Sequence, residues 1–272
     1  METERMTFPR NPFSRRRRTA VAATFAAAAR GRAAWGGGDS ESDGPRLIKD
    51  GQLVIAMSGE FRPFSYFEGD KLAGFDRDIG VAIAEEMGLE PKTETGAFDT
   101  LIQGVKSKRY DVLIASMTPT DARKKAVDFS DPYYSSGATL FVKNGSDCQE
   151  PQDLDKPTVG VATGTTYQDF LKGEKWAGDV RTFTSDVTAL EDVDKGRLDA
   201  AVTDRLVGLY QIEQADRGLR PCGEPLYTEE PAFAVDKGNT ALVDELNEAL
   251  ATIKENGTYA ELSKKWFGQD IS

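Results

Sequence analysis

Histidine is absent from this chain of 272 residues. That absence excludes every histidine-based catalytic triad, every histidine metal site and the commonest general base. Cysteine occurs twice, at Cys148 and Cys222, too few for a four-cysteine zinc site. Positive charge is in deficit: 34 Lys and Arg stand against 45 Asp and Glu, for a formal net charge of −11. Nucleic-acid binding rests on clustered basic residues facing phosphates, so it is not expected, and neither is a cofactor or a metal. The hydrophobic share of 39% and charged share of 29% are those of a soluble globular protein, at a length that fits one large domain or two ordinary ones.

The charge is unevenly spread. Residues 1–36 hold eight arginines (Arg5, Arg10, Arg15 to Arg18, Arg30 and Arg32) against two acids (Glu2 and Glu4), so the body is more acidic than the whole. After Arg15 to Arg18 comes a stretch of 11 small or apolar residues, Thr19 to Ala29. It is too short to span a bilayer and suits the core of a signal peptide, with Ala27-Ala28-Ala29 as a cleavage site of the A-x-A kind. Residues 1–36 are therefore expected to be a leader and 37–45 a flexible linker. The Gly- and Ser-rich linker resembles the tether behind the lipid-modified cysteine of bacterial lipoproteins. Trp35 stands where that cysteine would be, so export without a lipid anchor is expected. In an exported protein an even pair of cysteines reads as one disulfide, Cys148 with Cys222; two unrelated buried thiols are the other reading.

In the body, strand and helix patterns alternate. Leu53 to Ala56, Val112 to Ala115, Thr139 to Val142, Thr158 to Ala162, Val180 to Phe183, Leu198 to Val202 and Ala232 to Val235 read as short buried strands. Helices are predicted over Asp76 to Met87, Asp99 to Lys106 with Asp99 as N-cap, Thr165 to Lys172, Asp186 to Lys195, Arg205 to Gln214, Thr240 to Glu255 and Thr258 to Trp266. Alternation of this kind means an α/β fold with largely parallel sheets. Two such blocks, with the C-terminus returning, suggest two lobes and a ligand cleft between them.

Several segments, in order and spacing, carry a family resemblance. They are Phe61-Arg62-Pro63-Phe64, Gly74-Phe75-Asp76-Arg77-Asp78-Ile79, Ser116-Met117-Thr118-Pro119-Thr120-Asp121-Ala122-Arg123, Phe129-Ser130-Asp131-Pro132-Tyr133-Tyr134, Gly164-Thr165-Thr166, Asp199-Ala200-Ala201-Val202-Thr203-Asp204, and Asn256-Gly257-Thr258 with Lys265-Trp266-Phe267-Gly268. Over about residues 47–270 the chain resembles the extracellular solute-binding proteins of the polar amino-acid type, family 3, receptors of ABC importers. The resemblance implies a two-lobed, venus-flytrap α/β fold of the periplasmic-binding-protein kind. Lobe 1 would be 46–141 plus 233–272 and lobe 2 would be 142–232, closing about a hinge. It further implies a monomer that takes a polar amino acid outside the cytoplasm and delivers it to a membrane permease.

A buried α-amino acid needs partners for both its carboxylate and its ammonium. Within the family pattern Arg123 is the bidentate partner of the carboxylate, with a surface pairing to Asp121 or Asp128 as the other reading. Ser116 and Thr118, spaced to face the same way along a strand end, add hydroxyls or simply cap it. Thr165 and Thr166 open a helix and serve as donors, as a cap, or both. Asp204 takes the ammonium or N-caps the helix that follows it. Phe61 and Phe98 match positions where the family stacks rings on the ligand, and Ser58 stands where relatives place an acid or another polar group. Ala162 stands where glutamine receptors can offer Lys. Glu60 and Arg62 are expected in solvent, and Phe64, Phe75, Phe129 and Trp266 in the core. Ser58 weakens the case for Lys or Arg, so a small polar or an acidic amino acid is the expected ligand. Two alternatives remain: an enzyme like the cyclohexadienyl dehydratases of the same superfamily, which needs a buried acid of raised pKa, or a ligand-sensing domain.

Overall fold

Residues 44–272 are described by a computed structural model. The expected leader, Trp35 and the linker up to residue 43 lie outside the described residues.

Two sheets dominate. The first runs Glu90–Thr95, Gln52–Met57, Val112–Leu113, Ala232–Asp236, Val127–Pro132 across its width. The second runs Asp179–Phe183, Thr158–Ala162, Ala200–Asp204, Ser136–Lys143, Leu219–Pro221, with Tyr227–Glu229 also paired to Ser136–Lys143. In each sheet one strand runs against all the others: Ala232–Asp236 in the first and Ser136–Lys143 in the second. Those are the two strands that the chain enters directly after crossing between sheets, past Pro132 and past Glu229. The α/β class and largely parallel sheets follow the sequence reading.

Some local expectations need correction. Thr139 to Val142 does not close the first block; it lies inside Ser136–Lys143, which pairs only within the second sheet. The expected lobe boundary at 141 therefore cuts a strand, and the first crossing lies upstream of Ser136. Asp99 does not cap a helix: a 3-10 turn at Phe98–Thr100 runs into Leu101–Lys106, whose N-cap Thr100 makes no capping bond, its hydroxyl donating back to the Ala97 carbonyl at 2.8 Å. Three short strands, Glu60–Phe61, Ser65–Glu68 and Lys71–Ala73, form a small antiparallel sheet that the alternation pattern did not reveal.

The helices follow from their apolar spacing and their caps. Thr240–Glu255 buries Leu242, Leu246, Ala249, Leu250 and Ile253, one face of a 3.6-residue period. Each large apolar side chain so buried contributes about 1.5–3 kcal/mol, and packing of this kind is what holds such a helix. Thr258–Phe267 ends at Gly268 in the left-handed conformation, φ 75°. Helix Phe75–Glu86 starts after Gly74, at φ 127°, where a Cβ would sit 2.1 Å from the Phe64 carbonyl oxygen, so only glycine fits. Phe64 and Phe75 are fully buried, in an aromatic cluster with Tyr133, Tyr134 and Phe267, while Phe129 and Trp266 are partly buried against the wider core. Among the described residues no helix is long and apolar enough to cross a membrane.

Cys148 and Cys222 form a disulfide across 74 residues, with Cα atoms 5.3 Å apart. It ties the segment after Ser136–Lys143 to the end of Leu219–Pro221, both in the second sheet. Closing a loop of that length in the unfolded chain is worth up to about 4 kcal/mol by the chain-entropy account. Reduction is expected to lower the Tm of the purified protein by several degrees. An unchanged Tm, with two thiols titratable after reduction, would show that the bond contributes no net stability.

Candidate functional site

Between the sheets lies a cavity of about 490 Å³, counting its open mouth. Its lining comes from the C-terminal ends of strands in both sheets. Ser58, Glu60 and Phe61 follow Gln52–Met57; Phe98 follows Glu90–Thr95; Ala115, Ser116 and Thr118 follow Val112–Leu113. From the other side come Ala162, Thr165 and Thr166 after Thr158–Ala162, Thr184 to Asp186 after Asp179–Phe183, and Glu229. Strand ends in α/β folds are where chain direction changes and polar backbone is free to meet a ligand.

Among the described residues Arg123 is the only cation in this lining. It sits on the short helix Asp121–Lys124, N-capped by the Thr120 hydroxyl, which accepts from the Arg123 N–H at 3.2 Å. Its guanidinium donates to the Thr118 carbonyl at 2.7 Å and to the Gly164 carbonyl at 2.9 Å, so it spans the cleft. The Phe98 ring packs beneath it, 5.5 Å from its centroid. Two of the five guanidinium N–H groups are thus engaged by carbonyls, and the rest of the fork remains for a carboxylate. Burial lowers the Arg123 pKa, and the Glu229 carboxylate is the chief opposing influence.

The first wall is completed by polar and aromatic groups. The Ser58 and Ser65 hydroxyls lie 3.2 Å apart, and Phe61 stacks on Phe64 at 5.3 Å. Ser116 is not on a strand, since Val112–Leu113 ends before it and its φ is 53°. Its hydroxyl donates to Asp76 Oδ2 at 3.1 Å, behind the cavity wall. Glu60 borders the cavity mouth, and its carbonyl accepts from the Ser185 hydroxyl of the opposite wall at 2.9 Å. Arg62, expected in solvent, is half-buried and lies over the Tyr66 ring at 4.3 Å.

The second wall is acidic. Thr165 N-caps Thr166–Leu171 through Gln168 N–H, and Thr166 donates to Glu229 Oε1 at 2.5 Å. Asp186 follows the N-cap Ser185, is 6% exposed, and its Oδ1 is buried without a hydrogen-bond partner. Asp204 is the one expected site residue absent from the lining. It adopts the cap role: its Oδ1 accepts from Leu206 N–H at 2.7 Å and from the Ser136 hydroxyl at 2.9 Å. Sequence reading missed Asp186 and Glu229. The Ser185-Asp186 pair after a strand was a usable signal for the first; the two-acid run Glu229-Glu230 carried none for the second.

Residues 53–269 match the bacterial extracellular solute-binding proteins, family 3. The chain belongs to this family. The L-cystine-binding protein TcyJ of Escherichia coli (strain K12) is 37% identical over 231 residues, which cover 84% of this chain and 86% of the relative. An ancestral arginine-binding protein, solved bound to arginine, matches with a TM-score of 0.75 at 38% identity, over 80% of this chain and 99% of that one. The ancestral amino acid-binding protein AncCDT-1, a precursor of cyclohexadienyl dehydratase, matches with a TM-score of 0.73 at 33% identity, over 80% and 96%. The two-lobed fold and an extracytoplasmic place go with this family. These relatives are binding proteins by name.

Three carboxyls at or behind the cleft of this family member are held with little help from positive charge. Burial pushes Asp76 to about 7, Asp186 to about 6 and Asp204 to about 7, only partly offset by hydroxyl and backbone donors. An acid paired with a ligand ammonium would have its pKa lowered instead. A carboxyl raised above its unfolded value of about 3.9 takes up a proton on folding. Its contribution is complete below that unfolded value and is lost as pH rises through the folded one. Thermal unfolding should therefore give a higher Tm at pH 5 than at pH 8. Equal values at the two pH readings would contradict the burial of these groups as free acids.

Proposed function

We propose that the protein is the receptor of an ABC importer and that its cleft binds an α-amino acid bearing a second cationic nitrogen. The observation that carries this reading is the charge of the lining. Among the described residues, Glu60, Asp186 and Glu229 share the lining with a single cation, Arg123, and one buried oxygen of Asp186 has no partner. A zwitterion alone would leave the acids in excess, and a further negative side chain would meet three carboxylates. The small polar or acidic ligand expected above is therefore set aside. Arginine and lysine share the required chemistry, and the name of the arginine-bound neighbour supports it.

In this reading Arg123 forks the ligand carboxylate, with Ser116 and Thr118 beside it. The ammonium lies against Asp186 and Glu229, with the Asp204 charge behind them. Thr165 and Thr166 hold the second wall in place, Phe61 and Phe98 cover the aliphatic part, and Ser58 with Glu60 meets the distal end. Lobe 1 ends near Pro132 and resumes near Ala232, and lobe 2 lies between. The lobes close about these crossings, and the closed monomer docks on a permease at the outer membrane face of the cell. No lipid anchor is proposed, since Trp35 replaces the cysteine that would carry it.

One observation favours a second reading. Asp186 is a cavity-facing carboxyl of raised pKa, the kind of proton donor a cyclohexadienyl dehydratase would need. Calorimetry with L-arginine, L-lysine, L-cystine, L-glutamine and L-glutamate is expected to give binding of the first two and at least hundredfold weaker binding of glutamate. Arg123→Ala should lose about hundredfold or more, the cost of leaving a carboxylate without its charged donor. Equal affinity for glutamate would overturn the second cation, a loss of less than about tenfold in Arg123→Ala would overturn the carboxylate assignment, and turnover of prephenate or arogenate would favour the enzyme.

A further inference from the structure

Asp76 is fully buried, lies outside the cavity lining and makes no ion pair among the described residues. Its Oδ1 accepts from the Tyr133 hydroxyl at 2.6 Å, and its Oδ2 accepts from the Ser116 hydroxyl at 3.1 Å. The Tyr133 oxygen in turn accepts from the Ser116 backbone N–H at 3.0 Å. Both donors of Ser116 are therefore turned away from the cavity that this residue lines. Its left-handed backbone, φ 53°, is rare for a residue with a Cβ and persists only where surrounding groups enforce it. Here the enforcing groups are Asp76 and Tyr133.

We propose that Asp76 is a positioning residue of the ligand site, which sets through Ser116 whether the cavity wall offers a ligand a hydroxyl donor or an acceptor. The proposal rests on the amino-acid reading of the cleft. As a carboxylate, Asp76 can only accept, so the Ser116 hydrogen stays turned toward it. When Asp76 takes a proton from solvent on Oδ2, that O–H donates to Ser116 Oγ. The Ser116 hydrogen must then leave the contact. Two acceptors are open to it: the Tyr133 oxygen at 3.4 Å, a long contact to an oxygen that already takes the Ser116 N–H, and a ligand carboxylate in the cavity, the stronger of the two. Burial brings this exchange to about neutral pH. The titratable groups that share the field of Asp76 are Tyr133, Tyr134 of the crossing segment, and Tyr259 of helix Thr258–Phe267, all hydroxyls. Among the described residues none of the charged side chains of the packed elements bonds to Asp76: not Glu90, Lys92 and Glu94 of the edge strand, nor Glu68 and Lys71 of the small sheet, nor Glu245, Glu248 and Lys254 of the long helix, nor Glu261, Lys264 and Lys265 of the last; Arg77 and Lys265 bond to Asp78 instead.

The test measures the Kd for L-arginine from pH 5.5 to 8.5 in the wild type, Asp76→Asn and Ser116→Ala. Asparagine keeps the shape and mimics the protonated acid, with its N–H on Ser116 Oγ. The wild type should match Asp76→Asn at pH 5.5 and bind about tenfold more weakly than it at pH 8.5, the worth of one hydrogen bond to a charged group. Taking ratios removes the pH response of Asp186 and Asp204, common to both proteins. A ratio that is flat with pH, or that moves the other way, overturns the role of Asp76; a purely structural role would lower Tm and leave the ratio flat. Should Asp76→Asn fail to fold, Ser116→Ala gives the same reading, since it should weaken binding at pH 5.5 and hardly at all at pH 8.5. Equal losses at both would overturn the proposal. If wild type binds no amino acid in the panel at any pH, the reading of the cleft falls first; binding with a flat ratio removes only Asp76.

Discussion

The cleft depends on one cation that belongs to both sides of it. Arg123 is rooted in a helix beside the first sheet, yet one of its N–H groups is held by Gly164 beyond the second. A guanidinium taken out of water must keep its donors engaged, and carbonyls from two separate strand ends do that here. Gly164 makes the span possible. Its φ is +77° and a Cβ there would stand 2.8 Å from the Asp99 side chain across the gap. A larger residue would hold the walls apart and pull the carbonyl away from Arg123.

Around that cation the protein concentrates acids that are poorly compensated. Glu229 bonds to Thr166, Asp204 to Ser136 and a helix end, Asp76 to two hydroxyls, while an oxygen of Asp186 has no partner. Buried carboxyls without cations oppose folding at neutral pH, so the arrangement makes sense as a binding surface rather than as scaffold. The scaffold is elsewhere, in the aromatic cluster of Phe64, Phe75, Tyr133 and Phe267 and in the apolar stripe of Thr240–Glu255. The antiparallel strand in each sheet is what lets the chain cross twice and leave two rows of strand ends facing one another.

Much of this was legible in the residues. Apolar runs and helical stripes predict most of the elements, because hydrophobic periodicity is a local property. Thr165, Thr166, Ser116, Thr118 and Arg123 follow strands in the sequence, and that alone places them near strand ends. The small sheet at residues 60–73 and the edge strand Glu90–Thr95 escaped, since their residues are half-exposed and mixed in polarity. Glu229 escaped because nothing near it in the sequence says which way a three-residue strand will face.

The sequence by itself determined the alternation of strands and helices, the one disulfide the chain is able to form, and the excess of acid over base. Tertiary structure decided which of two uses each residue is put to. Asp204 could have capped a helix or lined the cavity; it caps, because Ser136, 68 residues away, holds its carboxylate. Asp186 is a first-turn acid of its helix, and it also lines, with Arg123, a cavity that only the meeting of two sheets creates. Burial and partnership depend on contacts between distant segments, and those contacts are not written in any local stretch of chain.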